Sequence, residues 1–294
     1  MPVPEYGRLR ADSIPDTIAD LQAGGITVSP ASLQVADCAL SGATVNCNGK
    51  GFPINNDQSI NISNGFNNDV RIQNFVGKVD YRLNQRHSIS GMYFFGNNRR
   101  TVEDFPELQS SWRSQIRTRA QVAGGSWVWV PSGRWVNEAR FGYNRLYQPT
   151  LPGDLNTPAS VYGLETGVSG PFSRGLPRLG FGGYFFPGLG GFKWPKFQGP
   201  DTITQFVDHI SYTAGKHALR FGGEIHRDKV TNAAYGNSRG SITFLGGILD
   251  PASTPLEDYF AGFPFKASVE VGDPTLHLHN WAYAAFLQDD WRAT

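Results

Sequence analysis

The stretch FVGKVDYRLN, residues 75–84, alternates between apolar and charged side chains with a period of two. Successive side chains of a β-strand point to opposite faces, so Phe75 and Tyr81 fall on one face while Lys78 and Asp80 fall on the other. The next residues, NQRH, are enough for a tight turn, and SISGMYFFGNN then runs back. This region therefore predicts a β-hairpin that is apolar on one side and charged on the other.

The same alternation recurs downstream in WVNEARFGYNRLY, in HALRFGGEIHRD and in WAYAAFLQDDWR. It is imperfect, because Asn137, Arg145, Phe286 and Asp289 fall on the opposite face from residues of their own kind. Strands that pair in one sheet share their two faces. The predicted charged face comprises Lys78, Asp80, Arg82, Glu138, Arg140, Arg220 and Glu224.

Tight turns alternate along the chain with long connections. NQRH, PSGR and AGKH are short, whereas the segments 97–113, 148–199 and 232–274 are long and irregular. Long alternating strands, with short turns at one end and long loops at the other, are typical of an outer-membrane β-barrel. The predicted fold is therefore all-β, an antiparallel meander of about nine strands over residues 71–294 that forms a sector of a large transmembrane barrel.

A barrel wall gives each face of the sheet an expected role. The charged face would line a polar lumen, where its residues either form ion pairs that stabilise the wall or take part in substrate passage. The apolar face would contact lipid, although a packed soluble core is the alternative. Candidate aromatic girdles at the membrane interfaces are Trp127, Trp129, Trp135, Tyr143, Trp281 and Trp291.

Residues 1–70 are polar and predict an irregular, loop-rich segment with at most a short helix near residues 14–22. The two cysteines of the chain, Cys38 and Cys47, lie in this segment without nearby histidines, which makes a poor zinc site. They form either a short-loop disulfide or two unpaired thiols. The net charge of +1 gives no electrostatic reason to expect nucleic acid as a partner.

The sequence predicts neither an enzyme nor a cofactor site. Asp289 and Asp290 are adjacent, so on a strand they point to opposite faces and cannot flank one bond. His277 and His279 share a face but lack an identifiable third metal ligand. The loop at 148–199 contains a run dense in glycine and aromatics, which is either a mobile surface loop or a stacking surface for a ligand. Its candidate ligand-contacting residues are Tyr184, Phe185, Phe186, Phe192 and Trp194.

Over residues 70–294 the chain resembles TonB-dependent outer-membrane receptors, especially those with an N-terminal carboxypeptidase-regulatory-like domain. The resemblance rests on four blocks in order: NFVGKVDYRLNQRHSISGMY, WVPSGRWVNEARFGYNRLY, FVDHISYTAGKHALRFGGE and WAYAAFLQDDWRAT. The segment LEDYFAGFP, residues 256–264, is similar to a short element in an external loop of these proteins. In that family the run at 286–292 is followed by a turn and a further strand, so an internal fragment of a barrel is expected.

The resemblance implies a fragment of a transporter in the cell outer membrane that takes up a bulky substrate, such as a glycan, a siderophore or a peptide. Its expected partners are outer-membrane lipid, the remainder of the barrel and a plug domain, with TonB engaged only through an N-terminal part. No plug, TonB box or signal peptide is identified in the sequence, and such transporters close with about 22 strands. The alternatives are a porin-like or adhesive barrel without energy coupling, or a soluble β-rich carbohydrate-binding protein.

Overall fold

A computed structural model of the protein describes residues 13–48, 69–101, 110–182, 188–191 and 195–293. In chain order, its helices and strands are α1 (Ile14–Ala23), α2 (Pro30–Ala36), β1 (Cys38–Ser41), β2 (Thr44–Cys47), β3 (Arg71–Arg82), β4 (His87–Thr101), β5 (Gln115–Ser132), β6 (Trp135–Leu151), β7 (Arg178–Phe181), β8 (Lys196–Ala214), β9 (His217–Ala234), β10 (Ser241–Phe244), α3 (Pro255–Ala261), β11 (Lys266–Ser268) and β12 (Leu276–Trp291). Short 3-10 turns lie at Ser110–Trp112 and Ala159–Tyr162.

The dominant element is a seven-stranded antiparallel sheet in the order β12-β9-β8-β6-β5-β4-β3. Each long strand pairs with the next long strand in the chain, which confirms the predicted all-β meander. Nine strands were expected and seven long ones are found among the described residues. In addition, β7, β10 and β11 form a separate small sheet within the connections.

The strands are longer than the alternation alone predicts. β4 continues to Thr101, β6 to Leu151 and β9 to Ala234, so parts of the segments expected to be loops at 97–113, 148–199 and 232–274 are strand. Crossing a membrane takes only about 9–11 residues of a tilted strand, whereas β8 has 19. The additional length lies at the long-loop end, where solvent on both faces removes the alternation that marks a strand in the sequence.

The long connections fold together with the N-terminal segment at that end of the sheet. We call this unit the loop body, and it comprises the described parts of residues 13–48, 110–114, 152–195 and 235–275. Its core is apolar and closely packed, since Ile18, Leu176, Leu189 and Phe260 are fully buried. The loop body is therefore a compact structure rather than a set of independent surface loops.

The N-terminal part of the loop body is more regular than the sequence indicates. Helix α1 begins where Ser13 caps the helix by accepting from the Asp16 N–H, close to the predicted short helix. Helix α2 and the hairpin β1–β2 were expected to be loop. These elements are too short to be stable alone, and α2 is held against α3 by the Ser32 hydroxyl, which donates to the Tyr259 carbonyl oxygen at 2.6 Å. Among the described helices, none has both the length and the apolar content needed to cross a membrane.

Candidate functional site

The predicted charged residues lie on one face of the seven-stranded sheet. The register links Asp80 to Ser90, Ser90 to Ser126 and Ser126 to Arg140, and directly paired residues of antiparallel strands share a face. Continuing through β8 and β9, the same face contains Glu224. All seven of the predicted residues fall on this side, which we call the charged face.

Several charges on this face are paired within their own strand. Lys78 Nζ lies 2.9 Å from Asp80 Oδ2, and the guanidinium of Arg140 donates two hydrogen bonds to Glu138, at 2.7 and 2.8 Å. Side chains two apart on a strand share a face, so these pairs follow directly from the alternation. Glu224 accepts instead from Gln205 Nε2 at 2.7 Å across the β8–β9 ladder.

The charged face is concave and contains a trough of about 490 Å³. Four glycines on neighbouring strands, Gly91, Gly124, Gly125 and Gly142, are among the residues that line it. The trough runs from β3 to β9, and the side chains that line it include Lys78, Met92, Ser126, Arg140, His209 and Glu224. Its chemistry is mixed and polar, which suits contact with water or with another polar surface.

The opposite face presents large apolar side chains to its surroundings. Tyr283 is 70% exposed, Leu287 is 76% exposed and Phe141 is 49% exposed. Nothing among the described residues covers this face. A contiguous apolar surface of this extent requires a partner that is itself apolar.

Aromatic rings gather on the apolar face near the short turns. The imidazole of His87 stacks against Trp127 and Trp129, and Trp127 Nε1 donates to His87 Nδ1 at 3.1 Å. On neighbouring strands, Trp135 meets Tyr212 edge-on and His217 stacks on Trp291. Rings that combine an apolar body with a polar N–H or O–H concentrate where lipid meets water.

The comparison with known protein families agrees with this geometry. The sequence matches the family described as outer membrane beta barrel domain over residues 22–294. The chain belongs to this outer-membrane β-barrel family. It is therefore located in the outer membrane, as the sequence analysis predicted, with its apolar face toward lipid.

No curated protein matches the chain. A solved structure that it resembles is the outer membrane transporter YddB from Escherichia coli, at 10% sequence identity and a TM-score of 0.45. The match covers 76% of this chain and 26% of YddB. The chain thus spans about a quarter of the length of that transporter.

The spacing of two tryptophans on β12 fits the height of the apolar band of a membrane-spanning barrel. Trp291 lies near the short turns, and Trp281 lies ten residues earlier in the strand, stacked against Tyr283 with Arg227 over its ring at 5.0 Å. Ten residues rise about 33 Å along a strand. At a tilt of about 40° this separates the two rings by about 25 Å across the membrane, the usual height of the apolar band.

Polar side chains also lie on the apolar face, which we call the lipid face from here on, and they pair with one another. Asn137 Nδ2 donates to Asp208 Oδ1 at 2.6 Å, and Arg145 Nη1 donates to Gln121 Oε1 at 3.1 Å. These contacts give Asn137 and Arg145, which both break the alternation, polar partners for some of their N–H groups. Sequence periodicity could not identify Asp208 and Gln121 as their partners.

A buried ion pair holds two long connections of the loop body together. Arg239 Nη1 donates to Asp154 Oδ1 at 3.0 Å, and the exposed fractions of the two side chains are 3% and 1%. The Leu176 N–H donates to the second carboxylate oxygen at 2.8 Å. Burial raises the pKa of Asp154 above its usual value, although the charge of Arg239 acts in the opposite direction. Sequence reasoning missed this pair, because its members lie far apart in the chain without a local motif.

The LEDYFAGFP segment forms helix α3 in the core of the loop body. A capping box begins the helix, in which Thr254 and Glu257 accept from each other's backbone N–H groups. Asp258 is fully buried and accepts from the Leu249 N–H at 3.0 Å and from the Ser253 hydroxyl at 2.6 Å. The carboxylate of Asp258 therefore organises the preceding turn and is not available as an exposed ligand group.

The remaining predicted residues are placed as follows. Cys38 and Cys47 are joined by a disulfide that closes the β1–β2 hairpin. Asp289 contacts His217 on the lipid face, while Asp290 accepts from Gln288 on the charged face.

No group of three metal-binding side chains occurs in the part of the chain that the structure describes. The five candidate loop aromatics, Tyr184, Phe185, Phe186, Phe192 and Trp194, lie outside the described residues.

Proposed function

We propose that this chain forms part of the wall of a TonB-dependent transporter that takes up a bulky substrate through its lumen. The observation that carries the proposal is the concave charged face, with its trough of about 490 Å³, opposite a lipid-facing apolar surface. Lys78, Arg140 and Glu224 line the interior, where they contact a plug domain or a passing substrate.

The loop body also supports uptake rather than simple diffusion. Long loops of a barrel lie on the external side of the outer membrane. Here they share a buried core that includes Leu176, Leu189 and Phe260, which gives them a fixed shape. A fixed external surface can recognise a ligand before it enters the lumen.

Uptake by living cells tests the proposal. Oligosaccharides, ferric siderophores and peptides are supplied to cells with and without the gene, and their loss from the medium is followed by mass spectrometry. We expect one class to be depleted only by cells that have the gene and an intact proton gradient across the inner membrane. Depletion that continues after a protonophore would support a porin-like barrel, and no difference between the two strains would support an adhesive one.

A further inference from the structure

A second cavity lies in the loop body, just beyond the ends of β8 and β9. Its volume is about 450 Å³, and it is lined by residues 167–173, by Tyr235 and Ser238, and by residues 270–273. This volume falls within the range of about 300–1,000 Å³ that is typical of small-molecule sites. The cavity is separate from the trough on the charged face, with which it shares no lining residue.

An aromatic cluster supplies one wall of this cavity. The rings of Phe172 and Tyr235, which both line the cavity, have centroids 4.5 Å apart, and Phe197 packs behind them at 5.0 Å from Phe172. The Ser238 hydroxyl donates to the Phe172 carbonyl oxygen at 2.7 Å and so ties the two loops together. The rings are therefore held in place and form a rigid apolar surface.

Hydrogen-bond acceptors also line the cavity. Glu270 is exposed and accepts from the Asn237 N–H at 3.3 Å, which leaves further acceptor positions of its carboxylate for a ligand. Hydrogen bonds from Thr275, together with the charge of His277 and the hydroxyl of Tyr235, lower the pKa of Asp273, so this carboxylate is ionised at neutral pH. Hydroxyl groups are added by Ser169 and Ser173. The described lining residues contain two carboxylates and no lysine or arginine.

We propose that this cavity binds the rings of an uncharged oligosaccharide. A sugar ring has a C–H face that packs on an aromatic side chain and a rim of hydroxyl groups that donate to carboxylates. An anionic ligand, such as a ferric catecholate or a uronic acid, would instead bring its charge against Glu270 and Asp273 without a cation in the wall. This inference rests on the proposed function and names the substrate class that the external side captures.

Equilibrium binding to the full chain in outer-membrane vesicles tests the site. The probes are fluorescently labelled cellotriose, maltotriose, chitotriose and mannotriose, with trigalacturonate as an anionic trisaccharide. We expect at least one neutral probe to bind, and we expect Tyr235→Ala or Glu270→Gln to weaken it at least tenfold. Glu165→Gln changes an exposed carboxylate that does not line the cavity, so it is the matched control and should leave binding unchanged.

Two further variants test the aromatic ring and the carboxylate charges separately. Tyr235→Phe keeps the ring and should retain most of the binding, whereas an Asp273→Asn and Glu270→Gln double variant should admit trigalacturonate. The assignment is overturned if no neutral probe binds, if trigalacturonate binds the unaltered chain more tightly than every neutral probe, or if Glu270→Gln binds as well as Glu165→Gln.

The outcomes also distinguish a failure of the sugar-binding proposal from a failure of the transport proposal. If a neutral sugar binds at the cavity but is not taken up by cells, the transporter proposal fails and the binding site stands. If cells show energy-dependent uptake of a peptide or an anion while no neutral probe binds, transport stands and the sugar assignment fails.

Discussion

At the scale of single residues, polar and charged side chains have a different kind of partner in each of the three environments of the protein. On the charged face, Lys78 pairs with Asp80 in the same strand, where both remain exposed to water. On the lipid face, Asn137 pairs with Asp208 across two strands. In the loop body, the ion pair between Asp154 and Arg239 is almost completely buried. The energetic consequence of removing one partner should therefore increase from the first environment to the last.

The buried pair gives the strongest single-residue prediction. Asp154→Ala leaves the Arg239 guanidinium buried without its carboxylate, and breaking a buried pair typically costs about 3–5 kcal/mol. The loss should appear as faster native-state proteolysis of the loop body. Asp69→Ala, which removes the exposed partner of Arg71, is the control and should cost at most about 1 kcal/mol. Equal effects of the two substitutions would contradict the role of burial.

Tyr259 links pH to the stability of the loop body. Burial raises the pKa of its phenol well above the usual value, and its hydroxyl donates to the Ser32 carbonyl oxygen at 2.8 Å. Because the folded pKa lies above the unfolded value of about 10, this residue's contribution is complete below that pH and is lost as pH rises further. Tyr259→Phe should cost about 1 kcal/mol at neutral pH and reduce the loss in alkali.

The measurement for Tyr259 combines proteolysis with tyrosinate absorbance. In the intact loop body, the buried phenol of Tyr259 should add to the tyrosinate absorbance only at a pH above the usual range of tyrosine, because burial raises its pKa. If the Tyr259→Phe variant lacks part of the absorbance change within that usual range, then the phenol of Tyr259 is accessible and the packing of α2 on α3 is not as described.

At the scale of elements, each long strand has one face toward lipid and the other toward a polar interior. Phe206 pairs with Phe141 and Ile225 on the lipid face, and the next residue, Val207, lies across from Glu224 on the charged face. The same chemical change at adjacent positions therefore meets either hydrocarbon or a polar interior with a carboxylate nearby. This contrast provides a test of the orientation of the sheet with one strand.

Phe206→Lys and Val207→Lys form a matched pair. A lysine facing lipid near the middle of a barrel strand costs about 2–4 kcal/mol, whereas a lysine facing the interior is tolerated. The quantity to measure is the free energy of unfolding in lipid vesicles, with the yield of folded protein in outer membranes as a second readout. A larger loss for Val207→Lys would reverse the assignment of the two faces.

The period-two alternation allowed the sequence to predict the sheet and its two faces, including all seven residues of the charged face. It could not predict the loop body, because that core joins residues far apart in the chain, such as Ile18 and Phe260, without a local repeat. The second cavity could not be predicted for the same reason, since Phe172 and Glu270 come from different connections. The sequence signals within the loop body were local ones: the short helix near residues 14–22, the cysteine pair, and LEDYFAGFP, whose Leu256, Tyr259 and Phe260 are buried in α3.

At the scale of the whole molecule, the sheet is an open arc among the described residues, with β3 and β12 at its edges. An edge strand has one row of backbone N–H and C=O groups without a strand partner, and lipid supplies none. We therefore expect each edge to be covered in the membrane.

Amide hydrogen exchange on this chain by itself tests that expectation. The outward-directed amides of β3 and β12 should exchange much faster than those of β8, which has a neighbour on both sides. Comparable protection in all three strands would mean that another segment or another molecule already covers the edges.

The direction of the two edge strands limits what can complete the wall. Seven alternating strands begin and end with the same polarity, so β3 and β12 both run from the external side toward the short turns. A complement that keeps every seam antiparallel must itself contain an odd number of strands, the first and last of which run outward. A second copy of this arc in the same orientation has strands of the wrong polarity at both ends and would leave two parallel seams.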